Sequence, residues 1–331
     1  MKRQLTLGLV LGALFVGCAS DPVPPAAEVA EEHQGFDVWL DVDPAMGLPQ
    51  SEVDDGLAML QAFASPELRI HGVSVVFGNT SQPNGLEVAR SLVSDWGPEG
   101  LGVFAGAVSA DELGESNEAV EAMVAALEER PLTLFALGPV TNAASLVQLH
   151  PELHERIERI VMVAARRVGQ RFQTGDPSNS PHRDFNFELD APAMQVLIDS
   201  DIELVFAPWE VSSKVWIRAA DLEALATTGE RGAFVAEQVA SWIQRWADTL
   251  GVDGFNPFDT LAIGWLTHPE QVETMDVGIW IEEAEDDVEP GATKPYLFVE
   301  SADAGTDRRR AVYATTPTED FKETLLARLG G

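Results

Sequence analysis

Short apolar runs alternate with segments of helical spacing through most of the chain, beginning at Phe36. The apolar runs are rich in Val, Ile, Leu and Phe and show little polar alternation, which is typical of parallel strands buried on both faces. These predicted strands are residues 36–43, 70–79, 101–106, 132–138, 157–165 and 202–209. Between them, apolar residues recur three or four positions apart, which predicts helices. The predicted helices are residues 54–65, 84–96, 117–130, 142–150 and 191–200.

The alternation of strands and helices predicts βαβ units. We therefore expect an α/β fold with a mainly parallel, Rossmann-like open sheet that is covered by helices. Neither an internal repeat nor a linker interrupts residues 36–331, so we expect one domain there.

The second half of the chain has a less regular pattern. Residues 221–250 have helical spacing, and for Trp242 and Trp246, one turn apart, we favour packing over a substrate platform. The acidic residues 282–290 are predicted to form a solvated loop. The remaining predicted elements are strands over residues 296–299 and 311–314 and a helix over residues 319–329.

The N-terminal residues differ in composition from the rest. A basic start precedes an apolar run over residues 5–17, which is too short to cross a bilayer. The run ends in Val16-Gly17-Cys18, which resembles the cleavage box of bacterial lipoproteins, although Phe15 stands where leucine is usual. We expect a signal peptide over residues 1–17, then a lipidated Cys18 and a Pro- and Ala-rich tether over residues 18–35. An ordinary signal peptide with an incidental cysteine is the alternative.

This interpretation places the protein outside the bacterial cytoplasm, in the cell envelope, with the lipid as its only membrane anchor. The formal net charge of −33, from 54 acidic and 21 basic residues, would repel nucleic-acid phosphate and argues against a polynucleotide partner. Neither a Gly-x-Gly-x-x-Gly motif nor a phosphate loop follows the first strand, which disfavours a dinucleotide or sugar-phosphate enzyme.

Acidic side chains crowd the end of the first predicted strand, where open α/β sheets bind their ligands. Asp41 and Asp43 end this strand, and Asp54 and Asp55 open the first helix. A helix N-terminus stabilises one or two carboxylates, and residues 41–56 contain no basic side chain. A hard divalent cation such as calcium or magnesium would relieve the repulsion of four carboxylates. Helix capping by Asp54 or Asp55, with Asp41 and Asp43 solvated, is the alternative.

Five motifs, in this order, resemble those of the calcium-dependent nucleoside hydrolases of the inosine-uridine-preferring type. They are Asp41-x-Asp43-Pro44 with Asp54-Asp55, Gly78-Asn79, Gly138-Pro139-Val140-Thr141-Asn142, Asp184-Phe185-Asn186 and Phe258-Asp259-Thr260-Leu261-Ala262. The resemblance covers about residues 36–329. It implies the nucleoside hydrolase fold and calcium-dependent hydrolysis of ribonucleosides, or a related N-riboside, to ribose and free base. It also suggests a homodimer or homotetramer.

The resemblance implies a role for each matching residue. Calcium would be held by the carboxylates of Asp43, Asp55 and Asp259 and by the backbone carbonyl of Leu137. Asp43 would also be the general base that takes a proton from the attacking water, and Asp41 would support the site. The ribose hydroxyls would be held by Asp54, Asn79, Asp184 and Asn186. Carboxylates suit this place because positive charge builds on the ribose as the base departs.

The chain departs from the family pattern in several places. Asp54 follows Asp43 by eleven positions, whereas the two lie closer in the family motif, and the extra loop, residues 45–53, contains Glu52 as an alternative ligand. Val163-Ala164-Ala165 replaces Met-Gly-Gly beside the ribose. Asp184 is one methylene shorter than the usual glutamate.

Three residues are candidates for the base pocket. Phe258 replaces a histidine that assists the departing base in much of the family, and it would stack on the base instead. His182 is an alternative acid for the leaving group, although a histidine on a surface loop is the simpler interpretation. For Trp209, lining the pocket and packing in the core are equally compatible with the sequence.

Two functions follow from these observations. The first is an N-ribosyl hydrolase that acts on small nucleosides, favoured by the intact Asp43, Asp55, Asn79, Asn186 and Asp259. The second is a catalytically weakened, calcium-dependent ribose or nucleoside binding protein at the cell surface, which Phe258 and the longer loop favour.

Overall fold

One ten-stranded sheet forms the centre of the computed structural model, which describes residues 35–305 and 307–331. The predicted signal peptide, Cys18 and the tether up to residue 34 lie outside the described residues. The strands are β1 (Phe36–Val42), β2 (Leu68–Val75), β3 (Val103–Ala105), β4 (Leu132–Ala136), β5 (Ile157–Met162), β6 (Arg166–Arg167), β7 (Leu204–Phe206), β8 (Val272–Glu285), β9 (Thr293–Ser301) and β10 (Arg309–Pro317).

Eleven helices surround this sheet in the described part of the chain. They are α1 (Asp54–Phe63), α2 (Gln82–Trp96), α3 (Glu118–Glu129), α4 (Thr141–Leu149), α5 (Phe185–Leu189), α6 (Ala191–Ile198), α7 (Trp209–Ser212), α8 (Ala219–Leu225), α9 (Glu230–Leu250), α10 (Thr260–Thr267) and α11 (Phe321–Gly330). Short 3₁₀ turns occur at Ala110–Glu112, Pro151–Arg156, Pro269–Gln271 and Ala302–Ala304. No helix among the described residues combines the length and the apolar character needed to cross a bilayer.

The strand order is β3-β2-β1-β4-β5-β7-β10-β8-β9-β6. All neighbouring pairs from β3 to β10 are parallel, whereas β8 runs antiparallel to both β10 and β9. The mainly parallel open sheet predicted from the sequence is therefore confirmed. Because β1 lies between β2 and β4, the loops that follow these three strands meet at one edge of the sheet.

Alternate side chains of β1 enter two different hydrophobic cores, one on each face of the sheet. Val38, Leu40 and Val42 belong to one core, and Trp39 belongs to the other. Each of them is almost fully buried, because helices cover both faces. Burial on both sides explains why the strands read as unbroken apolar runs in the sequence.

Two predictions for the second half are wrong in detail. Residues 221–250 form two helices rather than one, because the hydroxyls of Thr227 and Thr228 donate hydrogen bonds of 2.8 Å to carbonyls at the end of α8. The acidic segment 282–290 is not wholly a loop, since β8 continues to Glu285 and pairs with β9. Strand β8 was not predicted: after its first residue, its buried residues form one short run, residues 277–279, with exposed and acidic positions on either side.

A buried network of charges fastens this β8–β9 hairpin to the segment that precedes α6. Arg166 lies only 2.9 Å from Asp287 (Nη1 to Oδ2), and its side chain is 1% exposed. Lys294 lies 2.7 Å from Glu188 and 2.9 Å from Asp287. Arg183 joins the network through Glu188 at 2.7 Å. Three cations thus face three carboxylates, the third being Asp286, 3.2 Å from Arg183, so the network is balanced in charge.

Replacing Arg166→Met tests this network. The change leaves Asp287 buried beside one cation instead of two, and losing one partner of a buried ion pair costs about 3–5 kcal/mol. Urea denaturation should show a loss of that order in the free energy of unfolding. The control is Lys322→Met, which removes a half-buried pair with Asp221 at 2.6 Å and should cost about 1 kcal/mol or less. Equal losses in the two variants would contradict the importance of the buried network.

Candidate functional site

Asp43 lies just after β1, and the space around its carboxylate is kept free by two glycines. Its Oδ2 accepts a hydrogen bond of 2.6 Å from the backbone N–H of Asn79, while Oδ1 is buried without a hydrogen-bond partner. A Cβ atom on Gly78 would lie 1.9 Å from Oδ2, and one on Gly138 would lie 2.7 Å from Oδ1. The glycines of the two motifs are thus required by the position of this carboxylate.

Four more carboxylates converge beside Asp43. They are Glu52, Asp54, Asp55 and Asp259, and one oxygen from each lies within 4.8 Å of the others. Asp54 and Asp55 form the first turn of α1, and Asp259 stands at the N-cap position of α10 without a side-chain capping hydrogen bond. Asp55 Oδ1 accepts a hydrogen bond of 3.0 Å from the backbone N–H of Asp43, which joins the two groups. We call these five residues the carboxylate cluster.

Burial and mutual repulsion make the ionised form of this cluster unfavourable. Burial raises the pKa of Asp43 well above its usual range, and the charge of Asp55 raises it further. Burial likewise raises the pKa of Asp54 and of Asp259, helped in each case by a neighbouring carboxylate. Among the described residues, no cation forms an ion pair with any member of the cluster.

These properties fit a divalent cation. The donors are all oxygen atoms, the cluster carries an excess of negative charge, and Asp43 Oδ1 has no partner within the protein. Calcium prefers this kind of ligand set. Glu52, Asp54, Asp55 and Asp259 each bring one oxygen within 4.8 Å of the others, close enough to share one ion.

The longer loop after Asp43 does not disrupt the cluster. The loop turns back, with Leu48 N–H bonded to Ala45 O at 3.0 Å and the side chain of Met46 packed on Gly56 of α1. Asp55 therefore remains close to Asp43, and the loop adds Glu52 to the cluster. Asn79 Nδ2 donates to both Glu52 and Asp55 at 3.2 Å.

Asp41 is a buried carboxylate of β1 that lies next to the site and is held by two hydrogen bonds. It is 2% exposed, and its Oδ1 accepts hydrogen bonds from Ser74 Oγ at 2.6 Å and Asn142 Nδ2 at 2.9 Å. Burial raises the pKa of Asp41 to about 7. The interpretation in which Asp41 and Asp43 are solvated is wrong, because both side chains are buried under the strand ends.

A cavity of about 460 Å³ opens over the cluster. All four residues expected to hold ribose line this cavity: Asp54, Asn79, Asp184 and Asn186. Leu137, whose carbonyl is a predicted metal ligand, lines it too, and that carbonyl accepts a hydrogen bond from Asn186 Nδ2. Glu52 and Asp259 also reach the cavity wall, whereas Asp43 and Asp55, which are hydrogen-bonded to each other, are not among the residues that line the cavity.

Asp184 is held by a backbone with unusual geometry. Its Oδ2 accepts a hydrogen bond of 2.9 Å from the N–H of Ala165, and burial raises its pKa to about 6. Ala165 has a φ of 80°, in the left-handed region that favours glycine. The structure thus keeps at Ala165 the conformation that the family's glycine would adopt without strain.

Aromatic side chains line the remainder of the cavity. Trp246 is central, with its ring centroid 6.0 Å from that of His182 and 6.3 Å from that of Phe258. Trp209 stacks on Phe172 with centroids 5.2 Å apart. All five residues line the cavity, so the three candidate base-pocket residues lie together in one wall.

One simpler interpretation of these residues is wrong, and another is confirmed but incomplete. His182 does not lie on an open surface loop, because it lines the cavity and its Nε2 is buried. Trp242 and Trp246 do pack with the core, as favoured, but they also line the cavity.

Several other residues in this wall could not be predicted. Arg183, Phe172 and Arg245 line the cavity. They belong to a long loop and to the C-terminal part of α9. Neither the spacing nor the composition of these segments distinguishes a cavity wall from a solvated face. The exposed Phe185 also lies at the rim.

Comparison with known proteins identifies close similarities. The family model "Inosine-uridine preferring nucleoside hydrolase" matches residues 38–318. The pyrimidine-specific ribonucleoside hydrolase RihA of Citrobacter koseri is 30% identical over 258 residues, which are 69% of this chain and 80% of the relative. RihA of an Enterobacter species is 29% identical over 274 residues, which are 74% and 83% of the two chains.

Solved structures show the same fold. The plant nucleoside hydrolase PpNRh1 superposes with a TM-score of 0.74 at 19% identity, covering 89% of this chain and 99% of that one. The purine-preferring ribonucleoside hydrolase of Gardnerella vaginalis gives a TM-score of 0.70 at 18% identity, with 89% and 98% covered.

The raised pKa values predict how the metal-free protein responds to pH. Buried carboxyls such as Asp41, at about 7, and Asp184 and Asp190, at about 6, bind protons more tightly when folded than when unfolded. Their contribution to stability is complete below the unfolded pKa of about 4 and is lost as pH rises through the folded values. In chelator at constant ionic strength, calorimetry should show the melting temperature falling between about pH 5 and pH 8.

Added calcium should reverse this loss at the upper end of the range, because a ligand that binds only the folded state stabilises it. Asp259→Asn is the matched variant: with one charge fewer in the cluster, it should melt higher than the parent protein in chelator and respond less to calcium. A melting temperature in chelator that rises with pH, together with no response to calcium, would contradict this description of the cluster.

Proposed function

The chain belongs to the inosine-uridine-preferring nucleoside hydrolase family and is an N-ribosyl hydrolase, and we propose that it uses calcium to hydrolyse ribonucleosides to ribose and free base. One observation carries the proposal. Three members of the carboxylate cluster (Glu52, Asp54 and Asp259), the ribose residues and an aromatic wall all border the same cavity. A nucleoside has the matching parts: hydroxyls that bind carboxylates and amides, and a flat base that stacks on aromatic rings.

We propose that calcium is held by Asp43, Asp55, Asp259 and the Leu137 carbonyl. Glu52 is close enough to the other carboxylates to be a further ligand. When bound, the ion supplies charge neutralisation of the cluster and makes the attacking water more acidic. The buried Oδ1 of Asp43 has no partner within the protein, as expected for an atom that faces a ligand.

The protein's own groups then account for the main steps. Asp54, Asn79, Asp184 and Asn186 hold the ribose, and their negative and polar atoms stabilise the positive charge that develops on it. Asp43 takes a proton from water while the water oxygen attacks C1′ of the ribose. The electron pair of the C1′–N bond leaves with the base, which lies against Trp246 and Phe258.

Measuring ribose release from a panel of purine and pyrimidine ribonucleosides tests the proposal. A protein that binds these nucleosides but releases no ribose would instead support the second candidate, a calcium-dependent binding protein. The observation that favours this candidate is Phe258, which places a ring without a proton donor next to Asp259.

Asp43→Asn should abolish turnover and leave the fold intact. Asparagine has nearly the same shape and still offers one oxygen, but it cannot accept the proton of the water. Loss of a general base typically costs about 10²–10⁴ in rate. The control is Asp37→Asn, the same change on the same strand, where Asp37 pairs with Arg69 at 2.8 Å away from the cavity. Ribose release by Asp43→Asn at the rate of the parent protein would refute the assignment.

We further propose that the protein is exported and anchored by a lipid on Cys18, as the Val16-Gly17-Cys18 box indicates. Cys18→Ser should then prevent lipidation and move the protein out of the membrane fraction, or block its processing. Fractionation of cells, with metabolic labelling by a fatty acid, measures both effects. An unchanged membrane fraction in the variant would count against the anchor.

A further inference from the structure

Two nitrogen atoms in the aromatic wall of the cavity have no partner within the protein. They are Nε2 of His182 and Nε1 of Trp209, and both are buried. Both residues line the cavity. A buried polar atom left without a hydrogen bond costs about 1–3 kcal/mol, and such atoms in native proteins call for an explanation. A ligand that fills the cavity would provide one.

The two nitrogens are held by one connected structure. The backbone N–H of His182 donates to Phe172 O at 2.7 Å, which pairs the two residues across an antiparallel bridge. Phe172 stacks on Trp209 with an interplanar angle of 16°. His182 stacks on Trp246 with an interplanar angle of 22°. Both rings are therefore fixed by stacking and by backbone pairing, not left to rotate freely.

Two residues of the charge network described above, Arg166 and Arg183, hold this arrangement in place. The guanidinium of Arg166 lies 3.9 Å from the centre of the Phe172 ring and is held by Asp287. Arg183, the residue after His182, is bonded to Glu188 and Asp286. The segment that carries His182 is thus fixed on both sides, so the position of its imidazole is set by the fold.

Hydrolysis also requires a proton for most departing bases, and few groups in the cavity can supply one. The guanidinium groups of Arg183 and Arg245 do not deprotonate in proteins. Asn79 and Asn186 donate to carboxylates and carbonyls of the site. Asp184 is engaged with the backbone of Ala165.

His182 is left as the only imidazole that lines the cavity among the described residues. The other histidines of that part of the chain, His71, His150, His154 and His268, all bond elsewhere.

We infer that His182 Nε2 donates a proton to the departing nucleobase, and that Trp209 Nε1 donates a second hydrogen bond to the same base. The inference rests on the proposed function. In this step the C1′–N bond breaks and its electron pair goes to the base, which takes the proton from His182. The water oxygen bonds to C1′ and its proton passes to Asp43. His182 then regains a proton from solvent and Asp43 releases one, so the sum is nucleoside plus water to ribose plus base.

The chemistry of the ring agrees with this role. Burial lowers the pKa of the His182 imidazolium, so the protonated ring is a stronger acid than free imidazole but a smaller share of the protein carries it at neutral pH. Phe258, which stands next to Asp259 in the sequence, lies 6.3 Å from the same Trp246 ring, centroid to centroid, at an interplanar angle of 43°. An acid contributed by the loop before α5 therefore reaches the aromatic wall that Phe258 helps to build.

The experiment compares His182→Gln with the parent protein on two kinds of substrate. Uridine and inosine release bases that need a proton, whereas nicotinamide riboside releases neutral nicotinamide without one. Glutamine can still donate a hydrogen bond but cannot transfer a proton. We expect kcat on uridine and inosine to fall by about 10²–10⁴, with little change on nicotinamide riboside. The matched control is His150→Gln, far from the cavity and paired with Glu152, which should change neither rate.

A rate loss that is equal for both kinds of substrate, or no loss for either, would overturn the role of His182 and leave the proposed function standing. No ribose release by the parent protein from any of the three substrates would overturn the proposed function, and this inference with it. Thermal melting checks that each variant is folded, and His182→Asn replaces His182→Gln if the latter does not fold. Trp209→Phe, which keeps the stacking on Phe172, should raise KM for uridine and inosine more than it lowers kcat.

Discussion

Repulsion among carboxylates at the end of β1 is the constraint around which this molecule is organised. Asp43, Asp54, Asp55 and Asp259 are buried, Glu52 joins them, and among the described residues no cationic side chain pairs with them. Such a group keeps its charge only if a bound cation neutralises it, or else it takes up protons. The glycines at positions 78 and 138, the fold of the loop after Asp43 and the hydrogen bonds on Asp41 all serve to hold this group together.

A second set of charged residues contains as many basic as acidic groups. Arg166, Arg183 and Lys294 are matched by three carboxylates, so this network is neutral without any ion. It braces the segment that carries Phe172 and His182. The fold therefore contains two groups of charges. The carboxylate cluster has an excess of acidic groups and lies at the site, whereas the network of Arg166, Arg183 and Lys294 has equal numbers of acidic and basic groups and holds the loop beside the site.

The sheet and the main site residues could be predicted from the sequence for a physical reason. Parallel strands buried on both faces produce unbroken apolar runs, and motif residues that follow such strands must meet at one edge of the sheet. Asp43 and Asn79 follow β1 and β2, and the structure brings them into hydrogen-bond contact. The partner of the His182 ring could not be predicted. Trp246 lies near the end of a long amphipathic helix, and the hydrophobic pattern of a helix does not show which neighbour its buried face contacts. Strand β8 was missed because, after its first residue, only the short run of residues 277–279 is buried, and the acidic residues on either side are typical of a solvated segment.

The claim that the carboxylate cluster holds one cation is tested most directly by a crystal structure of the protein grown with calcium. Anomalous scattering identifies the ion independently of the fitted coordinates. We expect one calcium peak per chain, with Asp43, Asp55, Asp259 and the Leu137 carbonyl as ligands. A cluster without a peak, with its carboxylates bonded to one another, or a calcium ion bound only elsewhere, would contradict this account.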